Sequence, residues 1–152
     1  MDIIRQKSGF ICDMDGVIYH GNRLLPGVPE FVNWLYENDK HFLFLTNANH
    51  SSTKELQLKL KRMGLEIDEH HFYTSAMATA AFLKSQMPGC SAYMVGEHGL
   101  FNAMYDAGIT YNDINPDYVV IGESGTYGYE TIVKAVRLVE KGAKLIGTNS
   151  DL

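Results

Sequence analysis

The octapeptide Phe10-Ile11-Cys12-Asp13-Met14-Asp15-Gly16-Val17 sets the frame for everything around it. Its apolar body predicts a strand over Gly9–Asp13, and two carboxylates stand at the carboxyl end of that strand. Open α/β sheets hold their ligands at that end. The period-two alternation of an extended chain turns Asp13 and Asp15 toward the same side, and Gly16 permits the sharp backbone departure that follows. Two close carboxylates repel, so one keeps its proton unless a cation intervenes. A magnesium ion, hard and oxygen-preferring, suits the pair. One carboxylate can then attack phosphorus while its neighbour carries a proton for the leaving group.

Other readings of the same residues exist. An Asp-x-Asp-Gly tract also opens calcium-binding loops, but those need a Glu at the twelfth position. Counted from Asp13 that position is Leu24, so the calcium reading fails. A phosphoacceptor receiver domain also uses acidic residues and a Thr at strand ends, yet carries its acceptor Asp on a later strand. A solvated acidic turn stays open as the plain alternative.

From this strand onward, short β-like runs alternate with helical stretches, the signature of a parallel sheet with crossover helices. Pro29 suits the first turn of a helix running to about Asn38, with Phe31, Val32 and Leu35 on its apolar face. A second strand spans His41–Leu45 and ends on Thr46-Asn47. Ser52 and Glu55 have the spacing of a capping box. They open a helix with Leu56, Leu60 and Met63 on one side, which Gly64 terminates. Phe72-Tyr73 reads as a third strand, and Ala76 to Gln86 as an Ala-rich helix.

Met87-Pro88-Gly89 stops that helix, and the pattern restarts beyond it. Strands are expected at Ala92–Val95, Tyr118–Ile121 and Lys144–Ile146, and helices at His98–Ala107 and Glu130–Lys141. The expected division is residues 1–87 and 88–152.

The bulk properties bound the function. The 152 residues carry a formal charge of -5, with 45% hydrophobic and 20% charged residues. That balance fits a folded domain and argues against a nucleic-acid partner. No apolar run approaches a membrane span, and the first nine residues lack the apolar core of a signal peptide. Cytoplasmic location is the default expectation. Cys12 and Cys90 make neither a disulfide framework nor a zinc site, and Cys12 is expected to be a buried thiol. Histidines 20, 41, 50, 70, 71 and 98 show no ligand spacing, and His70-His71 reads as a solvated turn. No dinucleotide fingerprint or serine-hydrolase elbow occurs.

Asp13-Met14-Asp15-Gly16-Val17 resembles the first signature of the haloacid dehalogenase superfamily, and Leu45-Thr46-Asn47 resembles its second. Tyr73 to Ala80 and Asn115 to Glu123 are similar to segments of the NagD-like phosphatases within it. The resemblance implies a Rossmann-like core interrupted by an inserted α/β cap, with residues 1–87 the first part of the core and 88–152 the cap. It implies Asp13 as the nucleophile that becomes an aspartyl phosphate and Asp15 as acid/base. Thr46 and Asn47 would bind phosphate oxygens. Magnesium would be held by the Asp13 carboxylate and the Asp15 backbone carbonyl. The partner would be a small phosphorylated metabolite such as a sugar phosphate or nucleoside monophosphate, with self-association allowed. Specificity would reside in cap loops, for which Gly96-Glu97-His98 and Glu123 to Thr126 are candidates without assigned roles.

The superfamily carries a Lys and further acids in later signatures, which have no counterpart before Leu152. Loss of one preorganised electrostatic group costs roughly 10²–10³ in rate. The expectation is therefore a fragment of an enzyme, impaired alone. The alternative is a non-catalytic phosphate-binding or regulatory half-protein. A second Thr-Asn stands at 148–149, but its late position favours Thr46-Asn47 as the phosphate site.

Overall fold

The computed structural model describes residues 2–149, in which strands and helices alternate almost throughout. They form two compact units. The first holds the residues up to Thr46 together with Thr53–Tyr73. The second holds Asn47–Ser52 and the described residues from Thr74 onward.

In the first unit, α1 (Asp2–Arg5) precedes β1 (Gly9–Asp13), and a hairpin follows from β2 (Tyr19–His20) and β3 (Arg23–Leu24). Next come α2 (Val28–Glu37), β4 (His41–Thr46), α3 (Thr53–Arg62), a 3-10 turn (Glu69–His71) and β5 (Phe72–Thr74). The sheet order is β1-β4-β5, with β1 and β4 parallel and in register from Gly9 opposite His41 to Asp13 opposite Leu45. Burial alternates strictly along β4: Phe42, Phe44 and Thr46 face inward, whereas His41, Leu43 and Leu45 face outward. The inward side meets Val32 and Leu35 of α2, Leu56 and Leu60 of α3, and Phe72 in one apolar cluster. Gly64, at φ 89°, ends the path out of α3 in the left-handed region that glycine adopts without strain.

The expected strands and helices of this unit are present, within a residue or two of their predicted ends. The hairpin was not foreseen. Its strands are two residues each, too short for a period-two pattern, although their Gly21-Asn22 link is a turn signal. Cys12 departs from expectation: it is half-buried, because β1 buries neither face completely. Burial still pushes its thiol up.

The second unit opens with α4 (Ser75–Gln86), capped by the Thr74 hydroxyl, which accepts the Met77 N–H at 3.2 Å. Then follow β6 (Ser91–Val95), α5 (His98–Asp106), β7 (Thr110–Tyr111), β8 (Tyr118–Ile121), α6 (Tyr129–Glu140) and β9 (Lys144–Gly147). All four strands are parallel in the order β7-β6-β8-β9. One side of the sheet packs Ala92, Met94 and Val120 against Ala76, Ala80 and Leu83 of α4 and Leu100 and Met104 of α5. The other side packs Tyr93, Val95 and Val119 against Ala135 and Leu138 of α6. The apolar side of α4 thus shares a core with β6 and β8, and the second compact unit takes in α4 together with the strands beyond the 87–89 turn. Among the described residues, no helix is long and apolar enough to cross a membrane. The last three residues of the Thr148–Leu152 stretch lie outside the described residues.

Candidate active site

The first unit places Asp13 at the last position of β1, opposite Leu45, so that Thr46 lies one residue beyond it on the neighbouring strand. Burial runs exposed, buried, exposed over Asp13, Met14 and Asp15. The Met14 side chain is fully buried in the core, which leaves both carboxylates on the accessible side. Thr46 is buried at the end of β4.

Past Asp13 the backbone wraps around one acceptor. The Met14 carbonyl receives the N–H groups of Val17 at 3.2 Å, Ile18 at 2.8 Å and Tyr19 at 3.3 Å. Gly16, at φ 78°, makes this wrap feasible, and its own N–H donates to the Tyr19 carbonyl at 2.7 Å. Asp13 is oriented locally as the Met14 N–H donates to its Oδ1 at 2.8 Å. That leaves its Oδ2 as the oxygen without this restraint.

Asp15 has a partner that sequence reasoning missed. The Tyr19 hydroxyl donates to Asp15 Oδ2 at 3.1 Å. The Tyr19 ring is fully buried and lies under the Lys59 ammonium, 3.8 Å from its centroid. Burial first, and then the neighbouring Asp15 carboxylate, push the phenol far above its ordinary value, so it remains a donor. A tyrosine four residues after the second carboxylate was the available signal.

Asn47, the other expected phosphate contact, is exposed and belongs to the second unit. There hydrogen bonds tie down the segment Asn47–Ser52. The Ser75 hydroxyl donates to the Asn47 carbonyl at 2.6 Å, the Gly99 N–H to the His50 carbonyl at 3.2 Å, and the Glu123 N–H to Asn49 Oδ1 at 2.6 Å. The loops after β6 and β8, flagged above as specificity candidates, are joined to each other. The Ser124 hydroxyl donates to Glu97 Oε1 at 2.8 Å, and within the loop after β8 the Tyr127 hydroxyl donates to the Gly122 carbonyl at 2.7 Å. The later Thr-Asn pair sits at the exit of β9, where the Thr148 N–H donates to the Ile121 carbonyl at 3.0 Å.

Residues 10–110 match the model of the haloacid dehalogenase-like hydrolases. The chain belongs to that family. Among curated haloacid dehalogenase relatives, a dihydroxyacetone phosphatase of Corynebacterium glutamicum is 42% identical over 143 residues, covering 94% of this chain and 52% of the relative. The ribonucleotide monophosphatase NagD of Escherichia coli is 40% identical over 141 residues, or 93% of this chain and 56% of NagD. The solved NagD structure superposes with a TM-score of 0.89 over 95% of this chain and 57% of that one. A glycerol phosphate phosphatase from Mycobacterium tuberculosis, solved in complex with magnesium, reaches 0.89 at 26% identity, over 98% of this chain and 46% of that one. The expected NagD-like haloacid dehalogenase fold is thus borne out. The chain spans about half the length of these relatives.

Proposed function

We propose that this chain carries the nucleophile end of a magnesium-dependent phosphatase acting on a small phosphomonoester. The observation that supports it is the exposed Asp13–Asp15 pair at the carboxyl end of β1, beside the end of β4. In this reading Asp13 Oδ2 attacks phosphorus and forms an aspartyl phosphate, while the bond from phosphorus to the leaving oxygen breaks. Asp15 delivers its proton to that oxygen, then takes one from the water that attacks the phosphoenzyme. Attack at phosphorus releases phosphate and regenerates the Asp13 carboxylate.

Thr46 and Asn47 bind the phosphate oxygens. The donors available for the cation are the Asp13 carboxylate and the Asp15 carbonyl, an all-oxygen set matched to magnesium. When bound, magnesium neutralises charge on the carboxylates and phosphate. Residues 88–152 serve as the cap that selects the leaving group, and the setting is the cytoplasm.

The test is Asp13→Asn in a polypeptide extended to the length of its relatives. The amide matches the carboxylate in shape but cannot attack phosphorus. Turnover should fall by at least about 10³-fold with an unchanged fold. Retention of more than a few per cent of wild-type activity rules Asp13 out as nucleophile. Asp15→Asn should slow an alkyl phosphate far more than an activated aryl phosphate, because a good leaving group needs little protonation.

A further inference from the structure

The geometry points to a second cation site, for a borderline transition metal such as Zn²⁺, formed by Asp68, His70 and His71 at the turn before β5. Each of these residues offers one ligand atom, and the three atoms lie within 4.8 Å of one another. Among the described residues no other trio of His, Cys, Asp or Glu does so.

The convergence follows from local geometry. Asp68 is the N-cap of the 3-10 turn, and its carbonyl accepts the His71 N–H at 3.0 Å. A 3-10 turn nearly eclipses residues i and i+3, which brings positions 68 and 71 to one side. His70 packs beside His71, with ring centroids 4.0 Å apart and planes tilted by 39°, and offers one nitrogen within 4.8 Å of the other two ligand atoms. Glu69 is engaged elsewhere: Thr53 donates its hydroxyl to Glu69 Oε2 at 3.2 Å.

The His71 ring is prepared as a ligand. Its Nδ1 lies 2.9 Å from the Phe42 carbonyl oxygen. A carbonyl only accepts, so Nδ1 carries the hydrogen and the lone pair of the neutral ring is at Nε2. An imidazole that donates its second nitrogen to a backbone carbonyl is the arrangement that fixes tautomer and orientation in metal sites. Stacking adds rigidity: the ring lies 3.8 Å from Phe42 at an interplanar angle of 3° and meets Tyr36 edge-on at 5.6 Å.

Two imidazoles and one carboxylate form a mixed nitrogen–oxygen set. Magnesium takes oxygens in octahedral geometry and fits it poorly. Zinc, cobalt and nickel accept such sets, with water completing the shell. Ligand atoms about 2.0–2.1 Å from a tetrahedral zinc are about 3.3 Å apart. Asp68 and His70 are exposed and free to close the remaining gap onto the fixed His71. This site shares no residue with the Asp13–Asp15 pair and does not depend on the proposed phosphatase reading.

The test titrates the metal-free chain with Zn²⁺ by calorimetry in millimolar Mg²⁺, which occupies all-oxygen sites. Co²⁺ then serves as a spectroscopic probe of geometry. One ion per chain should bind in the micromolar range, with Co²⁺ giving the intense visible bands of a four-coordinate site. His70→Gln and Asp68→Asn, at exposed positions, should each weaken binding by about tenfold or more without shifting the thermal unfolding of the metal-free chain. His71→Gln should abolish binding, though it also removes the stack on Phe42. Absence of stoichiometric binding, or binding indifferent to both His70→Gln and Asp68→Asn, overturns the site.

Discussion

Asn49 Oδ1 accepts the backbone N–H of Glu123 at 2.6 Å, and the Asn49 side chain is completely buried in the second unit. In that parallel sheet the chain runs from β6 outward to β7 and then returns to β8 on the opposite side. The strand order therefore reverses between β6 and β8, the position where open α/β sheets form a ligand crevice. Here the chain's own Asn47–Ser52 segment occupies this region. Gly122 follows β8, and a Cβ there would come within 2.9 Å of Asn49 Oδ1. The segment that begins with a proposed phosphate-binding residue is thereby fixed against the loop that follows β8.

Removing the Asn49 amide should cost more than removing the neighbouring His50–Glu123 contact. Asn49→Ala leaves the Glu123 N–H without its acceptor, a loss of about 1–3 kcal/mol. The pair between His50 and Glu123, at 3.3 Å, is exposed on both sides and contributes about 0–1 kcal/mol. Urea midpoints for Asn49→Ala and His50→Ala check the order, and equal losses contradict it. Asn49→Asp keeps an acceptor but buries a charge, so its folded state favours the protonated acid. Its deficit should be small below about pH 4, the unfolded carboxyl value, and should grow as pH rises toward neutrality.

Gly99→Ala tests the close approach of the same segment. In an open helix the change to alanine stabilises by up to about 1 kcal/mol. At Gly99 the added Cβ would stand 2.6 Å from the Ser51 carbonyl carbon and 2.8 Å from the Asn49 oxygen. Both are backbone atoms that cannot rotate aside. The expected result is a net loss of about 1–3 kcal/mol, with Gly125→Ala, whose Cβ would meet open space, near neutral. A stabilised Gly99→Ala would show that the segment yields easily.

Legibility in the sequence followed the length and periodicity of each element. Strands such as His41–Thr46 could be read because apolar residues alternate over several positions, and α2 because Val32 and Leu35 recur at helical spacing. The two-residue strands of the β2–β3 hairpin offer no such repeat. Asp13 and Asp15 were legible because they stand at the carboxyl end of an apolar strand. Asn49 was not: a polar residue in the polar run Thr46-Asn47-Ala48-Asn49-His50 shows no sign that it will be buried. His70 and His71 read as solvated because their convergence with Asp68 depends on a single 3-10 turn and on the Phe42 carbonyl of another strand.

Tyr19→Phe isolates the hydrogen bond that steadies Asp15. The change keeps the buried ring and the Lys59 contact but deletes the donor to Asp15 Oδ2. In a polypeptide of the relatives' length, turnover of an alkyl phosphate should fall about tenfold, with less effect on an activated aryl phosphate. A double-mutant cycle separates positioning from general damage. In an Asp15→Asn background, Tyr19→Phe should add little. Full additivity would show that Tyr19 does not act through Asp15.

β1 pairs with β4 and, among the described residues, with no other strand, so its second edge presents unpaired backbone groups. The outward face beside that edge is apolar. Ile11 is 71% exposed, and its neighbours on β4, Leu43 and Leu45, are 36% and 37% exposed. The register sets Ile11 opposite Leu43, which makes these side chains adjacent. An open parallel edge invites pairing with another strand, and a contiguous apolar face adds a hydrophobic drive to the same contact. The 152-residue chain should therefore self-associate as its concentration rises, as measured by multi-angle light scattering. Ile11→Lys should reduce that association, because it places a charge at the centre of the exposed face without touching the inward cluster. A chain that stays monomeric across the series, or an Ile11→Lys variant that associates as strongly as wild type, would show that β1 is not the surface through which copies meet.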